Sequence, residues 1–508
     1  MPARFKDSSQ QELVLVFNIQ SSLMQIQITT RTIIWILLFC SIASCKKIVD
    51  IDSPIDTITT EQVFSNNEQA EWTLGGVYSM MINGIQPNQT AERLQFSAGL
   101  AGFCGAMSAD EVYPWSQNTA QEWMLSVNNL NVLNAFLPNE IWRSAYRAIY
   151  DANAIIEGVA ASESDLLTDS ARKQLTAEAK TIRAFSYFNL TNFYGELPLV
   201  LTIDYNQTKN LSRSPVSVIY QQIIKDLTEA SADLHEDFRA SNGKRTRINK
   251  WAAAALLARA YLFDGQYQNA INIATNVINR NDLYVLEPDL NLVFKENSKE
   301  IIWQLSQTRI YGESCTPDAK LWLPLFGEGF GSYTIYPGLL TAFESNDDRR
   351  TSWVAEYPNG FGQIIYMPHK YKNRSKTGIT DENSVVLRLA ELFLIRAEAA
   401  ILLNAGNTSV AIDDLNMIRE RAGLNDLPYS LTAPQVIQAV ADERRKELFS
   451  EWAHRWFDLK RTGKAVEVLK QVSFKNPWKG DFQLLYPLPV NELKANFALS
   501  QNPGYEQL

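Results

Sequence analysis

The chain has 508 residues, 46% of them hydrophobic and 20% charged, with a formal net charge of −9. Once an N-terminal leader is set aside, that length still allows a large core or two to three subdomains. The acidic balance argues against nucleic acid as a partner, because neutralising phosphates takes an excess of Lys and Arg.

Near the N-terminus, Arg31 precedes a short apolar run over 33–40, and Ala43 and Ser44 lead directly to Cys45. A basic residue, an apolar run and small residues before a cysteine form the pattern of a bacterial lipoprotein signal. The run is far below the ~18–20 apolar residues that a spanning helix needs. Processing is expected to remove residues 1–44 and leave Cys45 as the acylated N-terminus. Several acyl chains, at ~0.8 kcal/mol per buried methylene, moor a protein to a membrane far better than one. Residues 1–23 do not fit the signal, so Met24 is the expected start. After Cys45 no segment is long and apolar enough to cross a bilayer.

Most of the remaining chain reads as helix pairs with small residues at their contacts. An amphipathic helix is expected over 142–158, and another from Lys173 with Ala177, Ala184, Tyr187 and Phe188 on its buried face. The stretch 251–263, rich in Ala and Leu, is a strong helix former. Asp264-Gly265-Gln266 turns the chain, and 267–278 forms the second helix of the pair. Leu257, Ala258, Tyr261, Ala270 and Ala274 match the tetratricopeptide pattern, in which small residues let two helices approach closely. A similar pair is expected over 389–418, with Ala399, Leu402, Ala411 and Leu415 in equivalent places.

The pairs are irregularly spaced, which excludes a uniform solenoid. Insertions rich in Gly, Pro and aromatics cover 98–139, 306–338 and 353–380, the last with a strand-like piece at 363–367. The expected fold is therefore mainly α. Tetratricopeptide-like pairs form a right-handed helical scaffold, with long inserted loops and short β-hairpins. Its expected division is an N-terminal helical part, 45–305, carrying the loop 98–139. A loop-rich ligand region with C-terminal helices, 306–508, follows.

Several segments together resemble the SusD/RagB family of Bacteroidetes surface lipoproteins. They include Trp142-Arg143-Ser144-Ala145-Tyr146, the block 178–188 ending at Tyr194-Gly195-Glu196-Leu197-Pro198, and Leu387-Arg388-Leu389-Ala390-Glu391. Glu443-Arg444-Arg445-Lys446-Glu447-Leu448, the stretch 454–461 and Gln501-Asn502-Pro503-Gly504-Tyr505 complete the series. Asn496-Phe497 departs from the family's usual Asn-Pro, and Lys46-Lys47 follow Cys45 where relatives often carry acidic residues. The resemblance covers nearly all of 45–508. It implies an outer-membrane lipoprotein that captures an oligosaccharide, or in some relatives a peptide, and delivers it to a SusC-like TonB-dependent transporter. A scaffold contacting only the transporter is the further alternative.

The residues offer little for catalysis. His235, His369 and His454 share no motif; His235 is expected on a polar helix, 233–239, facing solvent. Without His-x-x-x-His or Cys-x-x-Cys spacing, no metal is expected, and neither is a cofactor. Gly327-Glu328-Gly329-Phe330-Gly331 lacks the Lys-Ser/Thr ending of a phosphate loop. Asp347-Asp348 before Arg349-Arg350 reads as an ion-paired turn, and Glu443, Arg444, Arg445, Glu447, Asp458, Lys460 and Arg461 as solvated or interhelical salt bridges. Cys104 and Cys315 either pair or stand as two buried thiols.

Binding has better material, since Trp, Tyr and Phe number 12, 20 and 23. Flat rings accept the C–H faces of a pyranose, while Asn, Asp, Gln or Arg pair with its hydroxyls. The first insertion supplies Asp110, Tyr113, Trp115, Asn118 and Trp123 as candidate ligand-binding residues. The second supplies Arg309, Tyr311, Trp322 and Tyr333, beside Phe330 and Tyr336. For any single ring, core packing competes with ligand contact. Tyr113 and Trp115, on either side of Pro114, are the leading candidates.

Overall fold

The computed structural model describes Met24 and residues 60–84, 94–116, 120–307, 314–324, 331–375 and 380–505. Helix α1 (Asn67–Asn83) starts on Asn66, whose side chain accepts the Gln69 N–H at 3.0 Å and so satisfies an orphan donor. Helix α2 (Ala101–Ser108) is buried on every side. Glycine makes that burial feasible: a Cβ on Gly105 would lie 2.1 Å from the Ala453 Cβ. Strand β1 (Val112–Pro114) and helix α3 (Ala120–Ser126) follow.

Helices α4 (Phe136–Ala161) and α5 (Asp169–Tyr194) begin a stack in which each helix packs on the next. It continues through α6 (Val216–Asp233), α7 (Lys250–Phe263) and α8 (Tyr267–Ile278). Asn249 caps α7 by accepting the Ala252 N–H at 3.0 Å. The four alanines Ala252–Ala255 that follow are all buried, as close approach by α6 on one side and α8 on the other requires. The Asp264–Gln266 turn falls where the sequence places it, with Gly265 at φ 73°.

The stack then crosses a gap in sequence without a gap in space. Helix α8 packs directly on α9 (Leu389–Leu403), although residues 279–388 intervene. Helices α10 (Thr408–Arg421) and α11 (Ala433–Glu447) pack against α9, and α12 (His454–Arg461) lies against α2. The fold is mainly helical, as expected. Its pairs are irregularly spaced in sequence because the excursion leaves and rejoins one continuous stack.

Within that excursion lie β2 (Ile301–Leu305), β3 (Tyr333–Ile335), the hairpin β4 (Val354–Pro358)–β5 (Ile364–Pro368), and β6 (Ser384–Arg388). Strands β2 and β6 pair antiparallel and return the chain to α9. Strand β1, from the first insertion, pairs antiparallel with β3, from the second; Val112 lies opposite Ile335 and Tyr113 opposite Thr334. The Tyr366 N–H of β5 donates to the Thr334 hydroxyl at 3.2 Å, joining the hairpin to that pair.

Of the charges expected to be solvated or interhelical, Arg444 pairs with Asp458 and Arg461 with Glu398 between helices, both at 2.7 Å, while Glu443 and Glu447 are buried in a larger ion-pair cluster. Arg349, Arg388 and Arg421 converge on Glu447, with the Arg349 and Arg388 contacts at 3.0 and 2.5 Å. Glu300 bridges Arg388 and Arg421 at 2.9 and 2.6 Å, and Glu443 meets Arg349 at 2.6 Å. Burial pushes the Glu447 pKa up, but Arg421, Arg388 and Arg349 outweigh it and hold the carboxyl well below its ordinary range. Asp347 caps a short helix, Asp348–Ser352, and pairs with Arg349 at 2.8 Å, the ion-paired turn that the sequence suggests.

One local expectation fails. Helix α6 ends at Asp233, so His235 is not helical. Leu234 is buried and turns the chain inward. The His235 N–H then donates to the Gln174 side chain at 3.1 Å, and its carbonyl accepts the Lys250 N–H at 2.9 Å. Cys104 and Cys315 are both buried thiols.

Candidate functional site

Pairing of β1 with β3 brings the two aromatic insertions together. Along β1, Val112 and Pro114 point inward and Tyr113 stays half-buried, the alternation of a strand with one covered face. The Trp115 N–H donates to the Ser332 carbonyl at 3.3 Å, extending the ladder one step beyond the strand. The Tyr336 N–H donates to the Glu111 carbonyl at 2.7 Å and extends it at the other end.

Three half-buried rings gather there around a fourth, Phe474, in the turn Ser473–Lys475. The Phe474 ring lies 4.9 Å from Tyr113, 5.8 Å from Trp123 on α3 and 6.0 Å from Tyr336. Tyr113 and Tyr336 meet edge to face at 6.5 Å. Such tilted and edge-on contacts add about 0.5–1.5 kcal/mol per pair beyond burial, enough to fix the rings relative to one another. Burial, and then Tyr336 alongside, raise the Tyr113 phenol pKa, so it stays protonated as a donor at neutral pH.

A second pair continues the aromatic surface. Trp115 meets Phe361 edge to face at 5.3 Å with an interplanar angle of 86°. Phe361 sits at the tip of the β4–β5 hairpin and is 79% exposed. The Asn359 side chain shapes that tip by accepting the N–H groups of Phe361 and Gln363, both at 2.9 Å.

Other candidates have different surroundings. Trp322 is buried, packed 5.0 Å from Phe103 and 6.1 Å from Tyr333; Tyr333 is half-buried, and burial raises its phenol pKa. Asp110 is 4% exposed, and its carboxylate accepts from Arg445 at 2.6 Å and Arg455 at 2.8 Å. Burial raises its pKa, but Arg455 and Arg445 prevail and lower it. Asp110 thus ties β1 to α11 and α12. Asn118, Arg309, Tyr311 and the lipidation residue Cys45 lie outside the described residues.

Glu111 follows Asp110 and points the other way. Its Oε2 accepts the Ser450 N–H at 3.2 Å, while its Oε1 is buried with no hydrogen-bond partner among the described residues. Burial raises its pKa to about 8, against the Ser450 hydrogen bond, which lowers it. Among the described residues, no group of three or more His, Cys, Asp or Glu is placed to hold a metal ion.

Sequence reading missed Phe474 and Phe361. Asn359-Gly360 is a hairpin-turn signal that marks the Phe361 tip. Phe474 carries only the faint signal of one aromatic in a polar segment before Pro477.

Rings carried on inserted strands and loops thus stand together beside a helical stack. A model described as "SusD family" matches residues 225–505, and one described as "Starch-binding associating with outer membrane" matches 81–262. The chain belongs to the SusD family.

It is 25% identical to the SusD-like protein P25 of Formosa agariphila over 93% of this chain and 99% of that protein. It is 24% identical to the starch-binding protein SusD of Bacteroides thetaiotaomicron, over 67% of this chain and 74% of that one. Among solved structures, a laminarin-binding SusD-like protein superposes with a TM-score of 0.70 at 24% identity, over 87% of this chain and all of that one. A surface glycan-binding protein A from Bacteroides uniformis gives a TM-score of 0.70 at 20% identity, over 86% and 99%. At these identities the structural likeness establishes the fold.

Proposed function

We propose that this chain is a non-enzymatic glycan-binding lipoprotein of the outer membrane that captures an oligosaccharide and passes it to a partner TonB-dependent transporter. One observation carries the reading: rings from three separate stretches of chain, Tyr113 and Trp123, Tyr336, and Phe474, are locked together half-exposed beside Trp115 and Phe361. A pyranose face covering one such ring removes about 50 Å² of apolar surface from water, roughly 1 kcal/mol per ring at about 25 cal/mol per Å². Several rings in reach of one oligosaccharide give useful affinity without deep enclosure. Relatives described as starch-binding or laminarin-binding support the ligand class.

Carboxylate placement supports binding over hydrolysis. Glycosidic cleavage needs two carboxyl groups flanking the sugar, and here Asp110 is clamped by arginines while Glu111 is buried against Ser450. In this reading residues 1–44 are removed, Cys45 is acylated, and the loops of 98–139 and 306–380 face the ligand. The helical stack is left for the transporter.

Calorimetry of Trp115→Ala against laminarin and soluble starch tests the ligand face. Affinity falls about fivefold, from the loss of one ring's contact, with the unfolding midpoint unchanged. Unaltered affinity removes Trp115 from the site. Palmitate labelling of the wild-type chain and of Cys45→Ala in the native host tests the anchor.

A further inference from the structure

Lys475, next to Phe474, is 2% exposed and, among the described residues, forms no ion pair with a carboxylate. Its Nζ donates instead to four oxygens from two other parts of the chain. These are the Met107 and Ser108 carbonyls at 3.0 and 3.1 Å, the Ser126 carbonyl at 2.5 Å, and the Asn128 Oδ1 at 2.6 Å. An ammonium has three protons, so four acceptors saturate it. A buried cation is costly unless it is fully hydrogen-bonded, and each bond to a charged donor is stronger than a neutral one.

The places of those acceptors matter. Met107 and Ser108 end α2, immediately before Asp110 and β1. Ser126 ends α3, three residues after Trp123. Asn128 holds φ 53°, donates from its Nδ2 to the Ser108 carbonyl at 3.1 Å, and accepts Gln483 at its own carbonyl at 2.5 Å. One ammonium is thus the hub of the segments that bear Tyr113, Trp123 and Phe474.

We infer that Lys475 is the positioning residue of the aromatic face, a buried amine whose hydrogen bonds clamp the end of α2 and the end of α3 onto the turn carrying Phe474. Ligand contact is left to the rings, and without the clamp they lose the mutual arrangement a sugar would meet. Burial lowers the Lys475 pKa to about 7, against the opposing pull of Asp110.

The inference rests on the glycan-binding reading for its purpose, but not for its test. Hydrogen exchange on the free protein reads the clamp directly, and calorimetry with laminarin reads its consequence. In Lys475→Met, amides of 107–116 and 120–128 exchange about tenfold faster or more, while those of α5 keep their protection. Laminarin affinity falls by a similar factor. Unchanged exchange in both segments overturns the inference, and so does an equal acceleration everywhere, which reports plain global destabilisation. Should Lys475→Met fail to fold, Asn128→Gly decides. It keeps the positive φ and removes one acceptor of the Lys475 amine together with the Nδ2 bond to Ser108, and at least about a threefold rise confined to the same segments is expected; no rise rejects the clamp. If the wild-type chain binds neither laminarin nor starch while the exchange result holds, the glycan reading fails and the clamp stands.

Discussion

The Glu447 cluster and the Phe474 face are built from opposite materials. Around Glu447, charges from β6, α10, α11 and the Asp348–Ser352 turn are sunk in the interior and matched to one another. Around Phe474, neutral rings from β1, α3 and two turns meet in tilted and edge-to-face contacts and stay half-buried. Buried ions leave little tolerance, because removing one partner strands the others in a medium of low dielectric. Half-exposed rings tolerate substitution at the cost of a contact. The residues that carry the family resemblance, Arg388, Glu443, Arg444 and Glu447 among them, lie in the ionic interior. The motifs that make the chain recognisable therefore belong to the scaffold, while the surface assigned to ligand lies elsewhere.

Glu447→Ala is the severest test of this contrast. It leaves Arg349, Arg388 and Arg421 facing one another, and a loss of about 3–5 kcal/mol is expected by urea denaturation. An unchanged midpoint would deny the cluster its role. Phe474→Ala attacks the other side. Laminarin affinity is expected to drop about 30-fold, near 2 kcal/mol, with a smaller change in stability. A loss of stability without loss of affinity would make Phe474 mere core.

Glu111 lies between the two regions and sharpens the contrast through pH. With its pKa raised by burial to about 8, the folded chain holds a proton there that the unfolded chain has released above its ordinary value near 4.5. Unfolding thus releases a proton, and stability falls as pH rises through that window, by up to about 1.4 kcal/mol per unit from this group. Glu111→Gln keeps an acceptor for the Ser450 N–H and removes the slope; parallel stability–pH profiles for the two proteins would contradict this. Phe361→Ala has the smallest effect expected. At 79% exposure its loss leaves the unfolding midpoint in place, while glycan binding weakens by about 0.5–1 kcal/mol. Equal binding would confine the face to the Phe474 group.

Local patterning reached far into this molecule. The Ala-rich run of α7, the Asp264-Gly265-Gln266 turn and α8 are legible because helix propensity and turn chemistry act over a few residues. Strand β5 was legible in the same way. Tyr113 and Trp123 could be named from aromatic enrichment in a polar loop, but so could Trp322, and only the structure separates them. It turns Tyr113 outward on β1 and buries Trp322 against Phe103. Asp110 reads as a polar ligand contact until Arg445 and Arg455, more than three hundred residues away, close on it.

From sequence alone came the family, the helical class and the stretches of chain in which rings accumulate, since each is written in local periodicity and ordered motifs. Tertiary structure decided that α8 meets α9 across residues 279–388, that β1 pairs with β3, and that Phe474 joins rings from the first insertion. Those contacts join residues far apart in the chain, where the energy of an ion pair or a ring contact depends on geometry and burial that no local pattern carries.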